Sequence, residues 1–313
     1  MLSLSIVVVN YNSGKLLRQC IESIRAETTT LDCEILIVDN ASTDKSISIA
    51  EPSFGEAILI KNTENAGFSK ANNIGISKSR GRYVLLVNPD VVVLPGSVVE
   101  LIRFMEENPT AGIISGKLVN SDRSLQYSIR NFPSLTNQVF EGAFLHHLFP
   151  WLTTLVGEVV YNNKAYERER TVDWISGAVM MVRREVFETV GMLDEDFFLY
   201  AEEIDWCYRT SKHGWQVSYV PTAQFIHFGS GYRANPALLA QDMRSRRMLY
   251  RKHYGLLRAK LLNLIMLSNV VTRAAVYLAA GTVANNKEFK RLWRAHVDGL
   301  RQIAVRGEHH AQS

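Results

Sequence analysis

Four short stretches carry side chains suited to chemistry. The stretch YVLLVNPDVVV, Tyr83 to Val93, runs apolar, breaks on Asn88-Pro89-Asp90 and turns apolar again. An interior strand tolerates neither the missing N–H of proline nor an unpaired carboxylate, so the break marks where the chain leaves a sheet. Two readings of Asp90 stay open: a cap on the following turn, common for an acid beside proline, or one carboxylate of a Mg²⁺ or Mn²⁺ site completed by ligand oxygens. Asp39, in ILIVDNASTD, is likewise either a turn residue or an acceptor for a nucleotide base or ribose hydroxyl at a strand end. Glu202, Glu203 and Asp205 of LYAEEIDWCYR have a surface reading, as charge at a helix start. Phe197, Phe198, Leu199 and Trp206 surround them with apolar bulk, however, so some of the acids should be partly buried. Burial and mutual repulsion raise a carboxyl pKa and favour a general base. His227, in QFIHFGSGYR, ends an apolar run; a lone histidine is more often structural, and the alternative is a nitrogen ligand to the cation at Asp90.

The elements that position these groups follow one design. SIVVVNYNS, EILIVDNASTD and YVLLVNPD are β-branched apolar runs that stop abruptly in polar residues, as strands covered on both faces of a parallel sheet do. Between the first two, Lys15 to Arg25 sets Leu16, Leu17, Cys20, Ile21 and Ile24 at helical spacing. AILIKN reads as a further short strand, and NAGFSKANNIGISKS as a glycine-containing loop entering a helix. The alternation gives an α/β fold with a mostly parallel central sheet flanked by helices. Ligands of such sheets bind beyond the carboxyl ends of the strands, where Asn10, Tyr11, Asp39, Asn40 and Asp90 all fall. Farther on, DWISGAVMMVRREVF reads as a strand leading into a helix, whereas FEGAFLHHLFPWLTTLVGEVVY is too interrupted to assign.

Composition narrows the class. With 313 residues, 47% of them hydrophobic and 21% charged, the chain has enough apolar material for a large core and is not disordered. A net charge of +4 gives no argument for a nucleic-acid partner. Cys20, Cys33 and Cys207 are odd in number and unpatterned, which offers neither a disulfide framework nor a zinc spacing and fits a reducing compartment. LSIVVVN is short, lacks a basic leader and reads as the first strand rather than a signal peptide. Neither G-x-G-x-x-G nor G-x-x-x-x-G-K-[ST] follows that strand, which excludes the usual dinucleotide and P-loop sites.

In this order, SIVVVNYN, ILIVDNASTD, NAGFSKANNIG, LLVNPDVVV, VDWISGAVMMVRREVFETVGMLDEDFFLYAEEIDWCYR and IHFGSGY resemble the inverting glycosyltransferases of family 2, with the GT-A fold, and their bacterial rhamnosyltransferase-like branch. The resemblance spans roughly residues 3 to 235. It implies a catalytic domain over 1–240, with a nucleotide-binding half at 1–110 and an acceptor and catalytic half at 111–240, followed by a helical region at 241–313. By the same resemblance Asn10, Tyr11 and Asp39 line the nucleobase and ribose pocket, and Asn65 and Gly67 shape the adjoining loop. Asn88-Pro89-Asp90 stands at the family's D-x-D signature; Asp90 matches the metal-binding last acid and Asn88 replaces the first. Asp173, Trp174, Ser176 and Gly177 match the segment bordering donor sugar and acceptor. Glu202-Glu203 stands where Glu-Asp is usual, with Glu202 beside the donor sugar and acceptor and Glu203 at the catalytic base, and His227 matches a histidine completing the metal site.

The implied activity is sugar transfer with inversion from a nucleotide-sugar donor, dTDP-rhamnose favoured, to a glycan or polyprenyl-linked acceptor, with Mg²⁺ or Mn²⁺ as cofactor. The alternatives are a sugar-1-phosphate nucleotidyltransferase and an inactive nucleotide- or glycan-binding protein. From Met243 to Lys260 there are seven Lys or Arg and no acid, and Leu261 to Val283 is mostly apolar but holds Asn263, Asn269 and Arg273. Those polar groups argue against a simple span, so 244–283 reads as a peripheral membrane contact at the cytoplasmic face of the cytoplasmic membrane, or as a core helix. The sequence leaves the oligomeric state open, a homodimer included.

Overall fold

The computed structural model describes residues 2–229, 235–283, 291, 293–294 and 297–298. Part of IHFGSGY and much of the segment after 283 lie outside the described residues. Packing divides the chain into two compact units, one of 1–132, 159–198 and 202–228, the other of 133–158, 199–201 and 229–313. This division does not follow the chain-order boundary expected at 240, because 133–158 joins the C-terminal helices.

The strands are β1 (Leu4–Asn10), β2 (Cys33–Asp39), β3 (Ile58–Lys61), β4 (Tyr83–Val87), β5 (Val91–Val93), β6 (Ala111–Val119), β7 (Ile129–Arg130), β8 (Arg170–Thr171), β9 (Trp174–Ile175), β10 (Val179–Arg183) and β11 (Gln216–His227). The helices are α1 (Leu16–Thr28), α2 (Ser46–Ala50), α3 (Phe68–Lys78), α4 (Ser97–Glu107), α5 (Leu135–Gly142), α6 (Leu145–Leu148), α7 (Arg184–Thr189), α8 (Glu202–Lys212), α9 (Pro236–Tyr254) and α10 (Leu256–Val283).

In the first unit the main sheet runs β3-β2-β1-β4-β10-β6-β11-β5, with β8 beside β11 and a separate β7-β9 pair. From β3 to β4 it is parallel, as the continuous apolar runs require. Beyond β4 the sheet is mixed, since β10 is antiparallel to β4 and β6, β11 is parallel to β6, and β5 is antiparallel to β11. Leu17, Cys20, Ile21 and Ile24 of α1 and Val98, Leu101, Phe104 and Met105 of α4 share one buried cluster with Leu4, Ile6, Val8, Leu85 and Val87. Each large apolar side chain so buried contributes about 1.5–3 kcal/mol. On α3, a Cβ at Gly75 would lie 2.3 Å from Val7 Cγ1, so glycine permits the helix's close approach to β1.

The polar break after β4 is where the chain leaves one ladder for another. Asn88 N–H donates to Ala178 O at 2.9 Å, and Val91 N–H donates to Asn88 O at 3.2 Å, which closes the turn around Pro89. The apolar run that follows is β5, paired with β11.

The second unit explains the stretch that periodicity left unassigned: it forms α5, α6 and single turns. These are tied by polar contacts: Gln138 Nε2 donates to Glu158, Arg246 bonds both Glu158 oxygens at 2.8 Å, and Arg246 also bonds Asp242 at 3.1 Å. Met243, Tyr250, Ala259, Leu262 and Met266 form the apolar cluster of α9 and α10.

At the amino-terminal end of β2, Glu34 is buried and accepts from Ser5 Oγ at 2.7 Å, from Arg80 N–H at 2.6 Å and from the Arg80 guanidinium at 2.9 and 3.1 Å. Burial pushes its pKa up, but the bonds from Ser5 and Arg80 outweigh that and hold it below the ordinary value. A carboxyl lowered in the folded state stabilises above its unfolded pKa, and that contribution is lost as pH falls through the folded value. Glu34→Gln is therefore expected to lower stability at neutral pH and to flatten its decline under acid conditions, read by urea unfolding across pH; an unchanged acid slope contradicts the assignment.

Candidate active site

The carboxyl ends of β1 and β2 carry a hydrogen-bonded polar floor. Asn10 is fully buried, and its Nδ2 faces Asp39 Oδ1 at 3.1 Å and the Ser42 and Ser46 hydroxyls at 2.9 Å, while its Oδ1 accepts from Ser13 Oγ. Asn10, expected to line the nucleotide pocket, is therefore a support for Asp39, which also accepts from Ser42 N–H at 3.4 Å. Tyr11, next along the chain, is exposed. Asn40, just after the end of β2, is a further residue of consequence. Its buried amide donates to Asn65 Oδ1 at 2.8 Å and Gly67 O at 3.3 Å, and accepts from Asn62 Nδ2 at 2.9 Å and Ala66 N–H at 3.0 Å. One side chain thus pins the loop that enters α3. Gly67 has φ 83°, and a Cβ there would lie 2.6 Å from Phe198 O, so both backbone and space demand glycine.

Asp90 and His227 meet because β5 pairs with β11. His227 lies opposite Val91, Phe228 N–H donates to Asp90 O at 3.0 Å, and His227 Nε2 stands 3.5 Å from Asp90 Oδ1. Gln126, which nothing local in the sequence marks, sets the imidazole. Its Nε2 donates to His227 O at 2.6 Å and Asn120 Oδ1 at 2.7 Å, which turns Oε1 to His227 Nδ1 at 2.9 Å. Nδ1 must then carry the proton, and the Nε2 lone pair of a neutral ring faces the carboxylate. Burial pushes the His227 pKa below its ordinary value while the charge of Asp90 opposes this, so the neutral form is favoured. A lone pair facing an anion is unfavourable unless a proton or a metal cation lies between them. One carboxylate and one imidazole fit Mn²⁺ or Mg²⁺ with other positions left to ligand oxygens and water. Among the described residues there is no group of three or more His, Cys, Asp or Glu that could hold a metal ion.

The acidic cluster separates by burial. Glu202 is buried, and Asp205 is fully buried in an ion pair with Arg209 at 2.7 Å, whose guanidinium also donates to Val190 O and Met192 O. Glu203 alone of the three is half-buried, with its carboxylate in the first turn of α8, where the helix dipole favours an anion. Just before it, Tyr200 and Ala201 have φ 68° and 69°, a left-handed backbone that non-glycine residues adopt at about 1–3 kcal/mol each and that clusters at functional sites.

Gly177 joins these parts. A Cβ there would lie 3.6 Å from Glu203 Cβ and 3.9 Å from Phe68 Cε1, and the adjacent Ala178 O receives the Asn88 N–H. The structure therefore brings together Glu203, Gly177, the start of α3 and the turn carrying Asn88 and Asp90. Ser176 Oγ accepts from Ala178 N–H at 3.4 Å. Asp173 and Trp174, expected to border the sugars, make bonds within the first unit: the half-buried Asp173 accepts from Phe132 N–H at 2.7 Å, and the buried Trp174 donates to Asn131 O at 2.8 Å. Glu202 is likewise too buried for direct contact with a sugar.

The model of the family described as "Glycosyl transferase family 2" matches residues 5–191. The chain belongs to glycosyl transferase family 2. Membership sets aside the nucleotidyltransferase alternative, and the α/β architecture is the family's GT-A fold. Glu203 and His227 lie beyond the matched residues. An N-acetylglucosaminyl-diphospho-decaprenol L-rhamnosyltransferase of Mycobacterium tuberculosis is 31% identical over 236 residues, covering 72% of this chain and 75% of the relative. Rhamnosyltransferase WbbL of Escherichia coli K12 is 29% identical over 170 residues, covering 52% of this chain and 61% of the relative. In fold, the chain is similar to mannosyltransferase PcManGT from Pyrobaculum calidifontis in complex with GDP-Man and Mn²⁺, with a TM-score of 0.60 at 16% identity over 97% of this chain and 87% of that one.

The contrast among the acids is testable. Asp205→Asn leaves Arg209 without its buried partner and is expected to cost about 3 kcal/mol in urea unfolding, whereas Glu203→Gln should cost well under half of that. Equal losses would place Glu203 among the structural acids.

Proposed function

We propose that the chain transfers a sugar with inversion from a nucleotide-sugar donor, dTDP-rhamnose favoured, to a glycan on a polyprenyl-type lipid carrier at the cytoplasmic face of the cytoplasmic membrane, as a step in surface polysaccharide synthesis. The observation that carries this reading is the position of Glu203, half-buried beside Gly177 at the start of α8, when the neighbouring acids Glu202 and Asp205 are buried. Rhamnose is favoured by the names of two relatives, and the lipid carrier by one of them. A nucleotide sugar and Mn²⁺ in the PcManGT complex accord with the donor class and the metal.

In this reading Glu203 takes the proton from an acceptor hydroxyl as its oxygen attacks the anomeric carbon. The new bond forms on the face opposite the nucleotide, the bond to the diphosphate oxygen breaks, and configuration inverts. Asp39 and Tyr11 face the nucleoside, with Asn10 holding Asp39 in place. Asn65 and Gly67 shape the loop beside the nucleotide, and Ser176 and Gly177 border the sugar. Asp90 and His227 would hold Mg²⁺ or Mn²⁺, which when bound offsets the charge developing on the departing diphosphate. Asn88, in place of a second acid, adds no charge, so His227 is the residue to complete the pair.

Glu203→Gln and Asp90→Ala are each expected to lower turnover by at least about 100-fold in a dTDP-release assay, with an unchanged circular dichroism spectrum. A near-normal rate in either folded variant would remove that residue from the mechanism. Gln126→Leu, by freeing the His227 ring, is expected to weaken Mn²⁺ binding in the presence of dTDP by about 10- to 100-fold in calorimetry. Unaltered affinity would show that the ring needs no such support.

A further inference from the structure

The outer face of α10 is apolar and uncovered. Leu256–Ala279 has a mean hydropathy of 1.5, yet only 17% of this stretch is buried. Leu257, Leu261, Leu264, Val271 and Leu278 are all exposed, and their spacing places them along one line of the helix. The opposite face is committed to protein. Leu262 and Met266 pack in the α9–α10 cluster, Asn269 Nδ2 donates to Gln138 O at 3.0 Å, and the Arg273 guanidinium stands over the Phe144 ring at 5.9 Å. Gly142 is seated against the Asn269 amide, where any Cβ would collide. The amide and the cation that oppose a membrane span are thus already used within the helical unit.

Two further features of this unit point to lipid. No Lys, Arg, Asp or Glu occurs from 142 to 157, and there Leu148, Trp151 and Leu155 are 66%, 59% and 82% exposed. An exposed tryptophan among leucines suits the boundary between head groups and acyl chains. Across the α9–α10 junction, Arg247, Arg251, Lys252, Arg258 and Lys260 are exposed in a stretch that holds no acid from Met243 to Lys260. Such a stretch is complementary to anionic head groups.

We propose that the helical unit seats on an anionic phospholipid surface through the outer face of α10 and the turn at 148–155, with α10 lying in the plane of the interface. To cross the bilayer, α10 would have to shed α5 and expose Asn269 and Arg273 to hydrocarbon. A second copy of the chain is a poorer occupant, because two parallel copies paired along this line would set Arg258 and Lys260 against the same cations. The attachment deepens the lipid-linked acceptor of the proposed function. It is read without donor or acceptor, so its failure leaves the transferase reading standing, and failure of transfer leaves it intact.

The test is flotation of the full chain with vesicles of equal parts phosphatidylglycerol and phosphatidylcholine, or of phosphatidylcholine alone. The wild type is expected to float with the anionic vesicles, less so at high salt, and weakly with the neutral ones. Leu264→Ser with Val271→Ser, and separately Leu148→Ser with Leu155→Ser, should each reduce the bound fraction by about tenfold while the circular dichroism and Tm stay unchanged. Val99→Ser, an exposed apolar site of the first unit, should leave it unaltered. Cysteine placed at 271 with a fluorophore should be quenched more by lipids brominated near the head group than by those brominated at the chain ends. Wild-type flotation of both double variants, equal binding to neutral vesicles, strongest quenching at the chain ends, or a dimer in light scattering that only the α10 variant breaks would each overturn the proposal.

Discussion

Three residues of β5 hold the site together. Their antiparallel ladder with β11 sets Asp90 beside His227, although the two lie far apart in the chain. Without that ladder Asp90 would be a turn residue and His227 the end of a strand. With it, a carboxylate and a neutral imidazole face each other at a distance that a shared cation would suit. The remaining parts of the site are measured from this point: Asn88 ties the same turn to Ala178, and Gly177 adjoins both Glu203 and Phe68.

The site is built with its polar groups largely spent on one another. Asn10 and Asn40, both buried, use their amides to fix Asp39 and the loop before α3. Such groups would be costly if left unsatisfied, and once satisfied they make the surrounding backbone rigid. Left-handed backbone at two consecutive non-glycine residues, Tyr200 and Ala201, stands just ahead of Glu203. The same logic recurs in the helical unit, where Glu158 and Arg246 organise short turns that have little apolar core of their own.

Much of the fold was legible because parallel strands buried on both faces leave continuous apolar runs that end abruptly. The helix expected from Lys15 to Arg25 is Leu16–Thr28, and the short strand expected at AILIKN is Ile58–Lys61. The polar break at Asn88-Pro89-Asp90 correctly marked an exit from the sheet. What sequence pattern could not show was which polar residues face inward. Asn10, Asp173, Trp174 and Glu202 occupy the expected positions but have their side chains buried or bonded within the protein. Gln126 and the turns from 135 to 158 were illegible for another reason: their contacts are long-range and polar, so no local periodicity records them.

If Asp90 and His227 share one cation, as proposed, a diphosphate would supply further oxygens to it. Electron paramagnetic resonance titration of Mn²⁺, with and without dTDP, tests it most directly on the wild type, Asp90→Ala and His227→Ala. Expected are weak Mn²⁺ binding to the wild type alone, tight binding once dTDP is added, and loss of that nucleotide-dependent gain in both variants. A gain of wild-type size in either variant would contradict it.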